Sequence, residues 1–208
     1  MGLNVKWAYC NVGAQKPEQY GDYFAWGETE PYYQPGYAQS ENPVWKSGKE
    51  AGYDWQSYSW CNGSKYTLTR YCTSGQTDYW GGSGSPDGKT RFADYNYVDD
   101  AARANWHGEW RTPTSDEWSE LKSECEWVLT SLSGTDGYAI TSKVNGKRIF
   151  LPAAGYRSGK TLYSIGSRFS YWASEISGDP SSYAYSLGDL DDDGDGRYLG
   201  FSVRPVTE

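Results

Sequence analysis

Asparagine, lysine and glutamine are absent from the last 48 residues, Thr161 to Glu208, although the chain before them carries all three throughout. The gap is filled by Ser, Gly, Asp, Tyr and Leu, strung between Trp172 and a closing GFSVRPV. That is surface vocabulary placed where a domain ordinarily completes its core, so the segment reads as both terminal and recognitional. Histidine and methionine occur once each. The lone histidine, His107 in NWHGEW, has no carboxylate and nucleophile spaced around it as a catalytic triad needs, and reads as a turn residue. No apolar run approaches the ~20 residues of a membrane helix, so direct membrane insertion is not expected, and the N-terminus shows no signal-peptide pattern. Met1-Gly2 directly before a strand-like start reads as either a trimmed start, from which a signal could have been removed, or a domain boundary. A formal net charge of -8 and a pI of about 4.7 make nucleic acid a poor partner.

Cysteine is also scarce. Cys10, Cys61, Cys72 and Cys125 fit no CxxC metal pattern, and none has a histidine partner. Cys61 and Cys72 bracket CNGSKYTLTRYC, a short loop with Asn-Gly turn chemistry, and could pair, with Cys10 and Cys125 as a second pair. Disulfides would imply an exported protein. Four buried free thiols are the equally weighted alternative.

What is abundant is aromatic: 20 tyrosines and 11 tryptophans beside 25 glycines, in 208 residues that suit one domain. With few aliphatic residues, the core is expected to rest on Trp and Tyr, whose polar tips need partners. LNVKWAYCNVG alternates like a strand up to its Gly, and DYFAWGETEP is a second short run closed by Pro31. Residues 32–92 lack periodicity and read as a loop-rich insertion, ordered because Trp45, Trp55, Trp60 and Trp80 argue against a solvated linker. One helix is expected at Ala93 to Asn105. A second starts at PTSDEWSELKSECEWV, with Thr114 as N-cap, Glu117 completing a capping box, and Trp118, Leu121 and Cys125 on one face. From Gly137 onward the pattern is strands and turns, with Asn145-Gly146 as a tight hairpin turn. Two helices and a run of short antiparallel strands with long ordered loops make the expected fold class α+β, a single domain over 1–208.

Several segments resemble the C-type lectin fold, in the branch shared with formylglycine-generating enzymes. Trp110-Arg111-Thr112-Pro113-Thr114 with Glu117-Trp118 resembles that branch's helix-start motif R-x-P-T-x-x-E-W. LPAAGYR at Leu151 to Arg157 resembles its buried strand, and Gly200 to Arg204 its closing strand. VKWAYCNVGA and YFAWGETEP resemble exported proteins of gut Bacteroidetes that carry this domain. Within the fold, the chain resembles the variable proteins of diversity-generating retroelements, in bacteria or their phage. There the C-terminal segment is rewritten by adenine-directed mutagenesis, and the rewritten residues build the ligand face. Asn, Lys and Gln have adenine-rich codons, so rewriting depletes them. Rewritten AAC or AAT codons yield Ser, Gly, Asp, Tyr, Leu, Ile, Arg and Phe, the residues found between Ser164 and Leu199. Glu175 is not reachable from those two codons.

The resemblance implies a hypervariable, non-catalytic, ligand-binding region at 161–200, with no cofactor, that recognises a protein or cell-surface target. The implied localisation is the cell surface, secretion, or a phage particle. The candidate ligand-binding residues are Ile165, Ser167, Arg168, Phe169, Glu175, Ile176, Ser177, Asp179, Ser181, Ser182, Tyr183, Tyr185, Ser186, Asp189, Leu190, Asp191, Asp192, Asp193, Asp195, Tyr198 and Leu199. Tyr interleaved with Ser and Gly supplies rigid anchors beside small adaptable neighbours. Tyr171, Trp172, Ala184 and Leu187 read as core instead. Asp191, Asp193 and Asp195 with Gly196 match the first half of a calcium loop. Loop position 12, which needs a bidentate Glu, is Ser202, so the run reads as an acidic loop rather than a metal site. The chemistry of the formylglycine-generating enzymes uses a cysteine pair near the C-terminus of the fold, and no cysteine follows Cys125. Arg111 and Arg204 read as structural. The alternative functions are a non-diversified structural or adhesive domain of a surface protein and, behind it, an enzyme.

Overall fold

A computed structural model describes residues 1–72, 87–177, 182–189 (Asp189 by its backbone alone) and 194–208. Two α-helices and ten short strands make an α+β arrangement in the described residues: β1 (Lys6–Trp7), α1 (Ala101–Trp106), α2 (Ser115–Glu124), β2 (Cys125–Leu132), β3 (Thr135–Ser142), β4 (Arg148–Pro152), β5 (Tyr156–Ser158), β6 (Thr161–Tyr163), β7 (Trp172–Ile176), β8 (Tyr183–Ser186), β9 (Asp195–Gly196) and β10 (Val206–Thr207). They form four small antiparallel sheets, β1-β10, β2-β3-β4, β5-β6 and β7-β8-β9. Lys6 faces Thr207, so the first strand closes on the last.

The closing segment is the spine. Gly200, Phe201, Ser202, Val203, Arg204, Pro205 and Val206 are all buried. Phe201 exchanges backbone hydrogen bonds with Phe24, Gly200 with Arg157 and Val206 with Arg111; Val203 accepts from Val12 and Ser202 from Trp172. Regular strand structure is nevertheless slight, and from residue 8 to 91 the described chain has only isolated bridges.

Side chains replace the missing ladders. Tyr23 Oη donates to Ala154 O (2.7 Å), Tyr53 Oη to Tyr23 O (2.6 Å) and Tyr58 Oη to Trp26 O (2.8 Å). Trp26 Nε1 donates to Ala173 O (2.9 Å) and Trp172 Nε1 to Phe24 O (2.7 Å). Each ring thus buries apolar area while its polar tip satisfies a loop carbonyl. Three arginines do the same with no exposure at all: Arg157 donates to Ala38 O and Ser40 O, Arg197 to Arg70 O and Tyr71 O, and Arg204 to Ala8 O and Phe150 O. Gly155, at φ +62°, is required: a Cβ there would lie 2.0 Å from Tyr163 O.

The capping box of α2 forms as its sequence indicates. Thr114 Oγ1 accepts from Glu117 N (3.1 Å), and Glu117 accepts from Thr114 N (2.8 Å) and binds Arg111 through both carboxylate oxygens (2.8 and 2.6 Å). The Asn145-Gly146 turn joins β3 to β4, with Gly146 at φ +70°.

Other expectations are corrected. The opening strand shrinks to Lys6–Trp7. The helix expected over Ala93–Asn105 breaks into a 3-10 turn at Phe92–Tyr95 and α1, because Asn96 and Tyr97 take left-handed φ of 52° and 58° between them. The second helix stops at Glu124. Cys125 turns extended and opens β2, which the sequence reading had continued as helix. The four cysteines are free thiols, so the disulfide pairings do not form. Trp118, Trp172, Phe201 and Val203 are buried, whereas Trp110, which opens the helix-start motif, is half-buried, edge-on to Trp106 at 5.3 Å.

Candidate ligand-binding face

Strand β8 alternates. Ala184 and Ser186 point inward, while Tyr183 and Tyr185 are half-exposed. The expected core residues Tyr171, Trp172, Ala184 and Leu187 are buried. Three candidate residues expected to face outward are buried instead. Ile176 joins the cluster around Trp26 and Trp172; Ser186 donates to Asp195 Oδ2 (2.8 Å); Ser182 lies under Arg197, whose N–H donates to the Ser182 carbonyl. The β7–β8 register shifts between Trp172 and Ile176, which upsets simple alternation along β7.

Glu175 is half-buried. Its carboxylate accepts from Ser115 N (3.0 Å) at the start of α2. Burial pushes it up to about 7; the Ser115 and Ser174 hydrogen bonds pull it back, and the nearby Glu117 and Asp116 carboxylates push it further up. Asp179, Ser181, Leu190, Asp191, Asp192 and Asp193 lie outside the described residues, as does the Asp189 side chain.

The remaining candidates border two grooves. The connection from β6 to β7 is held by backbone bonds from Arg168 N to Ser164 O and from Gly166 N to Ala153 O, with Ser164 at φ 55°. It leaves Ser167 and Ile165 exposed, the latter at 42%. Beyond it, Phe169 packs on Tyr138 (4.4 Å between ring centres), which meets Trp127 (5.4 Å). These three rings and Lys122, Ser167, Arg168, Leu187 and Gly188 line a groove of about 680 Å³. A second groove, of about 600 Å³, lies between Trp55 and Tyr66 on one side and Tyr183, Asp195, Tyr198 and Leu199 on the other. Trp55 and Tyr198 pack at 4.9 Å.

Arg168, which lines the first groove, pairs with Asp195, which lines the second, at 3.2 Å. Asp195 also accepts from Ser186, and the Arg168 guanidinium lies 4.9 Å from the Tyr156 ring centre. Ser177 is half-buried, its N–H bonded to Tyr183 O. Phe169, Tyr185, Tyr198 and Leu199 are half-buried against the core clusters, so they serve packing and face at once.

Sequence reasoning missed the opposite walls. Trp127 and Tyr138 sat in stretches assigned to a helix and to generic strands, and Trp55 and Tyr66 in the loop-rich insertion. Only the aromatic surplus signalled them. Among the described residues, no group of three or more His, Cys, Asp or Glu is placed to hold a metal, and no helix is long and apolar enough to cross a membrane. No protein-family model, curated protein or solved structure matches this chain.

Proposed function

We propose that this chain is a non-catalytic ligand-binding domain of C-type lectin type, and that segment 161–200 is its hypervariable face, of the kind rewritten by diversity-generating retroelements. The target on this reading is a protein or cell-surface ligand, met at a cell surface, in secretion or on a phage particle. The observation that carries the reading is that two neighbouring grooves both take much of their walls from this segment.

The segment also divides as display requires. Trp172, Ala173, Ile176, Ala184 and Leu187 hold the backbone from within, while Ile165, Ser167, Phe169, Tyr183 and Tyr198 reach the grooves or solvent. Glu175, which those two codons do not reach, accepts a hydrogen bond from Ser115 at the start of α2. The closing of β1 on β10 and the Arg111–Glu117 clamp suit the fold that the motifs resemble. A non-catalytic reading is further favoured by the thiols. Burial pushes Cys10, Cys61 and Cys125 above their ordinary range and Cys72 up to about 11, so none is a ready thiolate.

The test is a graft of residues 164–199 onto a sister protein with the same framework and a different ligand. Specificity is expected to move with the graft; if it stays with the framework, the reading fails. The DNA downstream should hold a near-copy of the codons for residues 161–206, carrying adenines where the two differ. Lack of that copy leaves the non-diversified adhesive domain as the better account.

A further inference from the structure

We infer that the open edge of β2, with the aromatic groove beside it, takes an extended peptide of the target: the peptide pairs strand to strand with β2 and lodges an apolar side chain against Trp127, Tyr138 and Phe169. Strand β2 ends its sheet, and its eight residues pair with β3 in unbroken register from Cys125↔Ser142 to Leu132↔Thr135. The two residues between, Ser133 (φ 51°) and Gly134 (φ 83°), are both left-handed, as a type I′ hairpin turn demands. In such a hairpin the flanking pair, Leu132 and Thr135, exchanges both backbone bonds, and bonded pairs then alternate along the strands. The N–H and C=O groups of Trp127, Leu129 and Ser131 therefore point away from β3. None of them has another backbone partner among the described residues.

Proteins blunt exposed edges with lysine, proline, a bulge or a covering element. Among the described residues, β2 beyond Glu126 has no lysine, proline or bulge, and no strand pairs with its outer edge. Residues 127–135, WVLTSLSGT, contain neither charge nor proline, and Val128, Leu129 and Leu132 are 48%, 66% and 37% exposed. A row of outward amide donors and acceptors is complemented along its length by another extended polypeptide, which selects a peptide over a glycan or a small anion.

The groove supplies the specificity. Leu129 faces Tyr138 across the ladder, and Trp127, two residues along, shares its side of the sheet. Every second side chain of an added strand falls on that same side, toward the aromatic floor. Lys122 at the rim is exposed and has no ion-pair partner among the described residues, whereas Arg168 is paired with Asp195. The favoured peptide thus carries an apolar side chain with a carboxylate beside it. The inference rests on the proposed function only in that Ser167, Arg168, Phe169, Leu187 and Gly188 form the far lip.

The probe is a phage-displayed library of random linear peptides panned on the full chain, followed by fluorescence anisotropy with the strongest binder made synthetically. Proline is tolerated at an edge position whose N–H faces outward. Leu129→Pro should therefore keep the thermal transition while weakening binding at least about tenfold, which is about 1.4 kcal/mol. Leu129→Thr, which keeps the N–H, should weaken it less, and Lys122→Glu should disfavour acidic binders. If Leu129→Pro does not fold, Ser131→Pro in the same outward row carries the test. Three results overturn the inference: no peptide is enriched, binding ignores the proline, or the free protein is a dimer that the proline dissolves, in which case a second copy occupies the edge. A graft that moves specificity while Leu129→Pro has no effect sinks the inference and spares the proposed function. The converse pattern does the reverse.

Discussion

Arg204 is fully buried and has no carboxylate partner among the described residues. Its Nε donates to Asn11 Oδ1 (2.7 Å), and its Nη atoms to the carbonyls of Ala8 (3.2 Å), Tyr9 (3.3 Å) and Phe150 (3.0 Å). One side chain thereby ties the N-terminal segment and β4 to the closing segment. Arg204→Met is expected to cost roughly 3 kcal/mol or more in urea unfolding, because each buried acceptor left unpaired costs about 1–3 kcal/mol. Arg204→Lys should recover only part, since an ammonium cannot span the same set of acceptors. Glu175 gives a second residue-scale expectation. Its folded-state value of about 7 lies above the ordinary 4.5, so the folded state holds more protons than the unfolded chain between those values. Its contribution is fully present below about pH 4.5 and is lost as the pH rises toward about 7. The thermal midpoint should fall across that window, and Glu175→Gln, which can still accept from Ser115, should flatten the slope. An unchanged slope in the variant would show that Glu175 titrates in the ordinary range. Arg204 was legible in the sequence as structural; the contact of Glu175 with Ser115 was not, because only the folded chain brings the two together.

Elements were legible where local chemistry decides them. The T-x-x-E box fixes the start of α2, and Asn145-Gly146 fixes the β3–β4 turn. Thr114→Ala should cost about 1 kcal/mol, and Glu117→Ala more than that, since it also frees a half-buried Arg111; equal losses measured by chemical denaturation would mean the clamp adds nothing. The end of α2 was not legible. Trp118, Leu121 and Cys125 keep a helical spacing across a boundary at which the chain turns extended, so β2 was hidden inside the helix pattern. The same error concealed Trp127, and with it one wall of the first groove. The stretch from residue 8 to 72 was opaque for another reason: its order comes from Tyr, Trp and Arg tips reaching carbonyls far away in sequence, and no periodicity records such contacts.

At the scale of the molecule, the C-terminal segment is framework and face together. Its inward members belong to two of the three core clusters of the described residues: Trp172, Ile176 and Ala184 to one, Tyr171, Ala173 and Leu187 to another. The sequence reading placed Tyr183, Ala184 and Tyr185 correctly but took the buried Ser182 and Ser186 at β8 and Ile176 on β7 as outward, and on β7 the register shift defeats alternation. This division makes a prediction about the whole fold. Replacing Ile165, Ser167 and Tyr183 together should leave unfolding within about 1.5 kcal/mol of the parent, since surface changes usually stay within about 0.5 kcal/mol each. Phe169 and Tyr198 do not belong in that neutral set, because they pack at 4.4 Å on Tyr138 and 4.9 Å on Trp55. Trp118→Ala, outside the segment and fully buried, should cost on the order of 3 kcal/mol or more. Denaturation of the triple variant beside Trp118→Ala decides the matter. If the triple variant is the one that unfolds, the outward residues of this segment are core, and a face that varies without refolding is not what the fold provides.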